Sequence, residues 1–266
     1  MNSKIILITG ATDGIGLETA RMLATHGHHL LLHGRSQEKL DSVRQELNTL
    51  STTAKLETYQ ADLSSMQAVN QLASNVLQKH SSLDILINNA GVFMPQNTNT
   101  PEGIDIRFAV NTLAPYLLTK RLLTIMSSEG RVINLSSAAQ STVNIDALKG
   151  RARLSDNDAY AQSKLAITMW SRKLATDLGR NGPAIIAVNP GSFLGSKMVR
   201  EAYGREGRDI AIGANILAHA ALSDEFSSAS GRYYDNDTKN FGIPHPDVFD
   251  VSKCVELTNT LDEMTA

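Results

Sequence analysis

The chain has one cysteine, Cys254, in 266 residues. A lone thiol excludes an intramolecular disulfide framework and fits a reducing compartment. Neither sign of charge dominates. There are 25 Lys and Arg against 27 Asp and Glu, a net charge of −2, and no basic run stands out. That balance argues against nucleic acid as the main partner. No apolar run approaches the ~18 residues needed to cross a bilayer, and no charged-then-apolar leader precedes Lys4. The expected home is the cytoplasm. A repeat is also absent, as is any break in composition. A chain of this length buries roughly three-quarters of its unfolded surface and needs no covalent staple. One domain over residues 1–266 is expected rather than two.

Short β-branched runs alternate with helical spacing along the chain. Strands are expected at 4–9, 29–33, 55–60, 84–88, 131–136 and 184–189, with a short one near Arg232–Tyr234. Helices are expected after the first strand and at 36–50, 64–79, 102–126, 156–179 and 207–222. Such alternation implies right-handed crossovers and an α/β fold, a doubly wound parallel sheet with helices on both faces. VINLS and IIAVN are apolar nearly throughout, as strands covered on both faces should be. Gly10, Gly34, Asp62, Asn89, Ser137 and Pro190 all fall just past strand ends, where such sheets bind ligands.

Gly10-Ala11-Thr12-Asp13-Gly14-Ile15-Gly16 stands where the first strand turns into a helix. Glycines there allow positive φ and close approach of a diphosphate. The helix N-terminus beyond offers free N–H groups and a positive dipole end. The spacing G-x-x-x-G-x-G is neither G-x-G-x-x-G nor the phosphate-hydrolysing G-x-x-x-x-G-K. A carboxylate after the second strand would select NAD through the ribose 2′-hydroxyl. Gly34 holds that position here, and Arg35 follows. A guanidinium suits a 2′-phosphate by charge and fork geometry, so NADP(H) is expected over NAD(H). Asp13 in the phosphate turn is a mild counter-signal.

Tyr160 and Lys164 in DAYAQSKLAITMW lie one helical turn apart on one face. An ammonium beside a phenol stabilises the phenolate, so Tyr160 is a candidate proton donor and acceptor. Ser137, at a strand end, can hydrogen-bond an oxygen on which charge develops. Ser136 competes for that role. Pro115 cannot donate to the carbonyl four residues back, which leaves the Asn111 carbonyl free to hold a water.

Taken together, TGATDGIG (9–16), ADL (61–63), NNAG (88–91), Asn111, Ser136-Ser137, YAQSK (160–164) and NPG (189–191) resemble the short-chain dehydrogenase/reductase family. The resemblance runs in order from the first strand to about residue 235. It implies a Rossmann-type domain, with a cofactor half to about residue 150 and a substrate-loop half after it. It also implies hydride transfer between nicotinamide and a small-molecule carbonyl or alcohol substrate. Ser137, Tyr160, Lys164 and Asn111 are then the catalytic set, with the Asn111 carbonyl holding a proton-relay water. Cofactor contacts are implied at Gly10, Thr12, Asp13, Gly14, Ile15, Gly16, Arg35, Asp62, Leu63, Asn89, Pro190, Gly191 and Phe193, besides Tyr160 and Lys164. The family often pairs copies through the helices at 102–126 and 156–179, so a homo-oligomer is expected.

Two departures matter. The long Ser137-to-Tyr160 gap is similar to the retinol-dehydrogenase-like and WW-domain-oxidoreductase-like branch. Its filling, QSTVNIDALKGRARLSDND, is polar and argues against a lipid-like substrate. Ser196 follows Gly195 where the family often has a carboxamide-binding Thr. Other signals carry less weight. His26, His28 and His29 flank a helix-ending Gly27 and are not expected to bind metal. Asn236-Asp237-Thr238 matches a glycosylation acceptor that a cytoplasmic chain would not use. Lys197, Arg200, Arg205 and Arg208 form a lid or a solvated face. Two other functions compete with carbonyl reduction: reduction of a carbon–carbon double bond, and NADP(H) sensing without turnover.

Overall fold

A computed structural model describes residues 3–196, 199, 200, 204 and 206–266. The first half runs β1 (Ile5–Ile8), α1 (Gly14–Thr25), β2 (His29–Gly34), α2 (Gln37–Leu50), β3 (Lys55–Gln60), α3 (Met66–Lys79) and β4 (Ile85–Asn88). Next come α4 (Ile106–Phe108), α5 (Ala114–Leu122), β5 (Arg131–Leu135), α6 (Ile145–Leu148), α7 (Asp156–Leu178) and β6 (Ala184–Asn189). The chain ends with α8 (Ala211–Leu222), β7 (Tyr233–Asp235), β8 (Asn240–Gly242) and α9 (Val251–Thr265).

The strand order is β3-β2-β1-β4-β5-β6-β7-β8, parallel throughout except β8. The chain reverses direction across the sheet between β1 and β4. That reversal opens a crevice beyond their carboxyl ends, where both glycine-bearing loops emerge. The apolar strands feed two cores. Leu7, Leu31, Leu86 and Val132 face α3, α5, α7 and α9. Ile6, Ile8, Leu30 and Ile133 face α1, α2 and α8. The alternation of side chains along each strand sorts them.

The expected helix at 102–126 is broken. A π-helical turn, Ala109–Leu113, follows α4, and the Ala114 N–H reaches back to the Ala109 carbonyl. Pro115 has no N–H to continue the α pattern, and the wider turn is the local solution. The expected helix at 207–222 begins at Ala211. Helix α9 was not expected, although Asp250 caps it and Cys254, Leu257 and Leu261 form a buried stripe.

Helix α9 covers part of the surface expected to pair two copies. It packs against α7, and Tyr116 on α5 donates to Asp262 at 2.8 Å. Every residue from Gln162 to Ser171 of α7 is buried within the single chain. The first turn of α7 and its Thr176 and Asp177 remain exposed.

Candidate active site

A cleft of about 680 Å³ lies beyond the carboxyl ends of β1, β2, β4 and β5. Gly10, Thr12, Asp13, Gly14, Ile15, Arg35, Asp62, Leu63, Asn89, Tyr160, Lys164 and Pro190 line it, as does Ser136. Asn111, Ser137, Gly16, Gly191 and Phe193 are not among its lining residues. A smaller cavity of about 170 Å³, bordered by Arg172, Arg232 and Phe249, holds none of the candidate residues.

The glycine turn is a tight cradle. Gly10 has φ +66°, and an added Cβ would meet the Ala90 backbone at 3.0 Å. At Gly16 it would fall 2.2 Å from the Gly10 carbonyl oxygen. Gly16 thus lets α1 approach the turn rather than touching the cleft. Asp13 caps α1, its Oδ1 accepting from the Gly14 N–H at 2.7 Å. The capping role accounts for an acid at this position. Asn89 pins the turn from β4, donating to the carbonyls of Thr9 and Gly10 at 2.9 and 3.1 Å.

His33 was missed by sequence reasoning. It is buried at the end of β2, and burial pushes its pKa down to about 4. The neutral ring accepts from the Gly10 N–H and donates to the Ala61 carbonyl, fixing the Nε2–H tautomer. It thereby ties the glycine turn to the end of β3. The pattern of a histidine inside an apolar strand was its only sequence signal.

At the expected 2′-phosphate position, Arg35 is exposed on the cleft rim. The guanidinium forms no ion pair with any described residue. Beside it, a Cβ on Gly34 would fall 2.6 Å from the Thr12 methyl. No carboxylate side chain fits at residue 34 without displacing Thr12.

Helix α7 carries Tyr160 and Lys164 to the cleft from the other side. Ser155 caps it by accepting from the Asp158 N–H, and Asp156 and Asp158 sit in its first turn where the dipole favours acids. Lys164 is buried, with Nζ donating to the Leu135 carbonyl at 2.7 Å. That ammonium lies 5.7 Å from the Tyr160 ring centroid. Burial pushes the Lys164 pKa down to about 8. An added Cβ at Gly91 would come within 3.5 Å of Lys164 Nζ, so the glycine keeps that approach open.

The two serines are oriented differently. The Ser136 hydroxyl is buried against Thr168 Oγ1 at 2.6 Å and the Lys164 carbonyl at 3.2 Å. Ser137 is half-buried, and its hydroxyl accepts from the Ala139 N–H at 3.1 Å. The Asn111 side chain clamps Val92, accepting from its N–H and donating to its carbonyl at 2.8 and 2.9 Å. A further bond to Ser163 at 3.0 Å ties the π-helical turn to α7.

Two further supports were not visible in the sequence. Arg107, 1% exposed, pairs with Asp105 and Asp156 and donates to the Phe93 carbonyl at 3.3 Å. It connects α7 to Phe93, whose ring lies 4.7 Å from that of Tyr160. Asp237 grips the loop after β6, accepting from Ser192, Asn189 and Arg208. Neighbouring Asn236 donates to the Pro190 and Ile212 carbonyls and is buried, so this acceptor motif is a structural tie. Phe193 in the same loop has φ +54° and is exposed. Ser196 lines the cleft and accepts from the Val199 N–H at 3.3 Å. Lys197 and Arg205 of the basic stretch lie outside the described residues.

None of residues 138–159 lines the cleft. The insertion buries Ala147 and Leu148 and fastens through the Asn144 N–H to Gln162 at 2.9 Å. Its polarity therefore does not report on the substrate. The wall near Tyr160 is apolar instead: Val92, Phe93, Met94, Pro95, Ile106 and Val110.

A phosphate-type glycine turn at the reversal of a doubly wound sheet, facing a Tyr–Lys pair, defines an oxidoreductase domain of Rossmann type. The chain belongs to the short-chain dehydrogenase family, whose model matches residues 4–206. It is 34% identical over 244 residues to retinol dehydrogenase 12 of Mus musculus, covering 87% of this chain and 77% of that one. It is 31% identical over 284 residues to polyprenol dehydrogenase of Homo sapiens, covering 97% and 86%. Among solved structures, a short-chain dehydrogenase from Shigella flexneri complexed with NADP superposes with a TM-score of 0.72 at 26% identity, covering 89% of this chain and 98% of that one. Among the described residues no helix is long and apolar enough to cross a membrane.

Proposed function

We propose that this enzyme is an NADP(H)-dependent dehydrogenase or reductase acting on an apolar alcohol or carbonyl compound. The carrying observation is the buried Lys164 ammonium held against the Tyr160 ring at the mouth of the glycine cradle. When bound, the nicotinamide supplies or accepts the hydride.

The remaining steps belong to the protein. Tyr160 gives its proton to the carbonyl oxygen in reduction and takes one from the alcohol in oxidation. Lys164 stabilises the phenolate that remains, and its ammonium also suits ribose hydroxyls. Ser137 is the serine that steadies the reacting oxygen, because the Ser136 hydroxyl is committed inward. The Asn111 backbone carbonyl, which Pro115 cannot bond, is the water-holding group of the relay. The turn from Gly10 to Ile15 would hold the diphosphate, Asp62 and Leu63 the adenine, and Asn89 the ribose side. Pro190, Gly191 and Phe193 would sit by the carboxamide. Arg35, with Gly34 closed to side chains, supports NADP(H). The named substrates of the retinol and polyprenol relatives and the apolar wall around Phe93 support an apolar substrate. The buried thiol Cys254 is in keeping with a cytoplasmic location.

The test is a panel of long-chain and aromatic aldehydes, ketones and alcohols with NADPH or NADP⁺. Tyr160→Phe should retain dinucleotide binding, read by fluorescence, and lose nearly all turnover. Turnover that survives this change would remove Tyr160 from the proton-transfer role.

A further inference from the structure

The sheet end opposite the cleft gathers a second set of chemistry-bearing side chains. His29 opens β2, and Glu57 sits in the middle of β3. Their register pairs His29 with Lys55 and Leu31 with Glu57. His29 and Glu57 are therefore diagonal neighbours on one sheet face. Helix α3 crosses the same face and ends in its C-cap residue His80. His29 Nε2 lies 2.8 Å from Glu57 Oε1, and His80 Nε2 lies 3.2 Å from Glu57 Oε2. The three ligand atoms fall within 4.8 Å of one another.

We infer that His29, Glu57 and His80 form a binding site for one divalent transition-metal ion of the zinc class. Two imidazoles and a carboxylate make a three-ligand set that leaves a fourth position for water. Imidazole nitrogen selects zinc, cobalt, nickel or copper over magnesium and calcium. Ligands ~2.0–2.1 Å from a tetrahedral zinc lie ~3.3–3.4 Å apart. The observed spacings come close to that, so side-chain rotations of about an ångström admit the ion.

His29 Nε2 donates to the Glu57 carboxylate, and a metal ion would take the place of that proton as the ring shifts to its Nδ1–H tautomer. Burial pushes the His29 pKa down, against the pull of Glu57. Burial works to raise the Glu57 pKa, but bonds from Tyr59, Lys55 and His29 prevail and hold it at about 2. The negative dipole end of α3 points at the cluster and favours a cation there. Lys55 opposes, its Nζ 3.2 Å from Glu57 Oε1, but that side chain is 69% exposed and free to swing into water. The Tyr59 hydroxyl lies 3.0 Å from Glu57 and 3.1 Å from His80. An ion here would clamp the edge strand β3 to β2 and α3. The histidines flanking Gly27 contribute only His29: His26 is tied to the Met22 carbonyl, and His28 accepts from the Lys4 N–H.

The experiment uses the tag-free full chain, stripped with a chelator and titrated with Co²⁺ and Zn²⁺ at neutral pH. Binding of one equivalent is expected, with visible cobalt d–d absorption that zinc abolishes and a raised unfolding midpoint. Glu57→Gln and His80→Asn should each weaken binding by about tenfold or more. His26→Gln should not change it. Dinucleotide binding at the distant cleft serves as the check that each variant is folded. Substoichiometric binding by the unmodified chain overturns the proposal, whatever the variants do. One equivalent that persists undiminished in both folded variants overturns it too.

Discussion

The Gly10 backbone N–H donates to His33 Nδ1 at 3.2 Å, so the glycine turn hangs on a buried neutral imidazole. Its pKa of about 4 in the folded chain sets a pH dependence. Between pH 6.5 and 4 the unfolded imidazole takes a proton that the folded one refuses. Stability therefore falls with pH across that window, by about 1.4 kcal/mol per unit from this group alone. Above pH 6.5 the contribution is complete. Denaturant titrations between pH 4 and 7 should show the slope, and His33→Gln should flatten it.

Arg35 should discriminate between the two dinucleotides. A charge-assisted bond to a phosphate is worth ~1.5–3 kcal/mol. Arg35→Ala should then raise the KM for NADPH by about 10- to 100-fold and leave that for NADH nearly unchanged. Equal effects on both would show that the arginine is only a solvated rim residue.

Ser136 and Ser137 should separate stability from turnover. Ser137→Ala is expected to lower kcat by about 100-fold, as losing one oxyanion donor does, without shifting the unfolding midpoint. Ser136→Ala removes its bonds to Thr168 and the Lys164 carbonyl, while Thr168 keeps its own bond to that carbonyl, and should cost ~0.5–1.5 kcal/mol of stability. The reverse pattern would exchange their roles.

Lys164 should take up a proton when dinucleotide binds. With a pKa of about 8, a good part of the unliganded population is neutral at pH 8. Ribose and phosphate oxygens favour the ammonium and raise that value. Calorimetry in buffers of different ionisation heat should report uptake at pH 8 to 9. The uptake should vanish in Lys164→Met.

Arg107 should matter more to stability than Asp156. Removing it leaves Asp105 without its cation, and breaking a buried pair this way costs ~3–5 kcal/mol. Asp156 is half exposed, so Asp156→Asn should cost under about 1 kcal/mol. Urea unfolding of Arg107→Met and Asp156→Asn measures both.

Much of the architecture was legible because the strands at 131–136 and 184–189 are apolar on both faces and the glycine turn marks the first crossover. The Tyr160–Lys164 pair was equally visible, since four-residue spacing on a helix fixes a shared face. Helix breaks were harder. Pro115 signalled a disturbance, but only the Ala114-to-Ala109 bond shows that it resolves as a π-helical turn. Helix α9 carries a stripe of Cys254, Leu257 and Leu261 at helical spacing, a signal present in the sequence. Contacts between distant segments left no local trace. Arg107 with Asp156, His33 with Ala61, and His29 with His80 are set by how the layers stack, and spacing along the chain does not encode them.

The Thr12 methyl beneath Gly34 constrains any redesign of coenzyme preference. A lone Gly34→Asp would drive its Cβ into that methyl and disturb the very turn it was meant to serve. Trimming Thr12 to serine first clears the space, so the order of substitutions decides whether the intermediate survives. Switching the preferred coenzyme in this scaffold is thus a coupled, two-position problem rather than a single exchange.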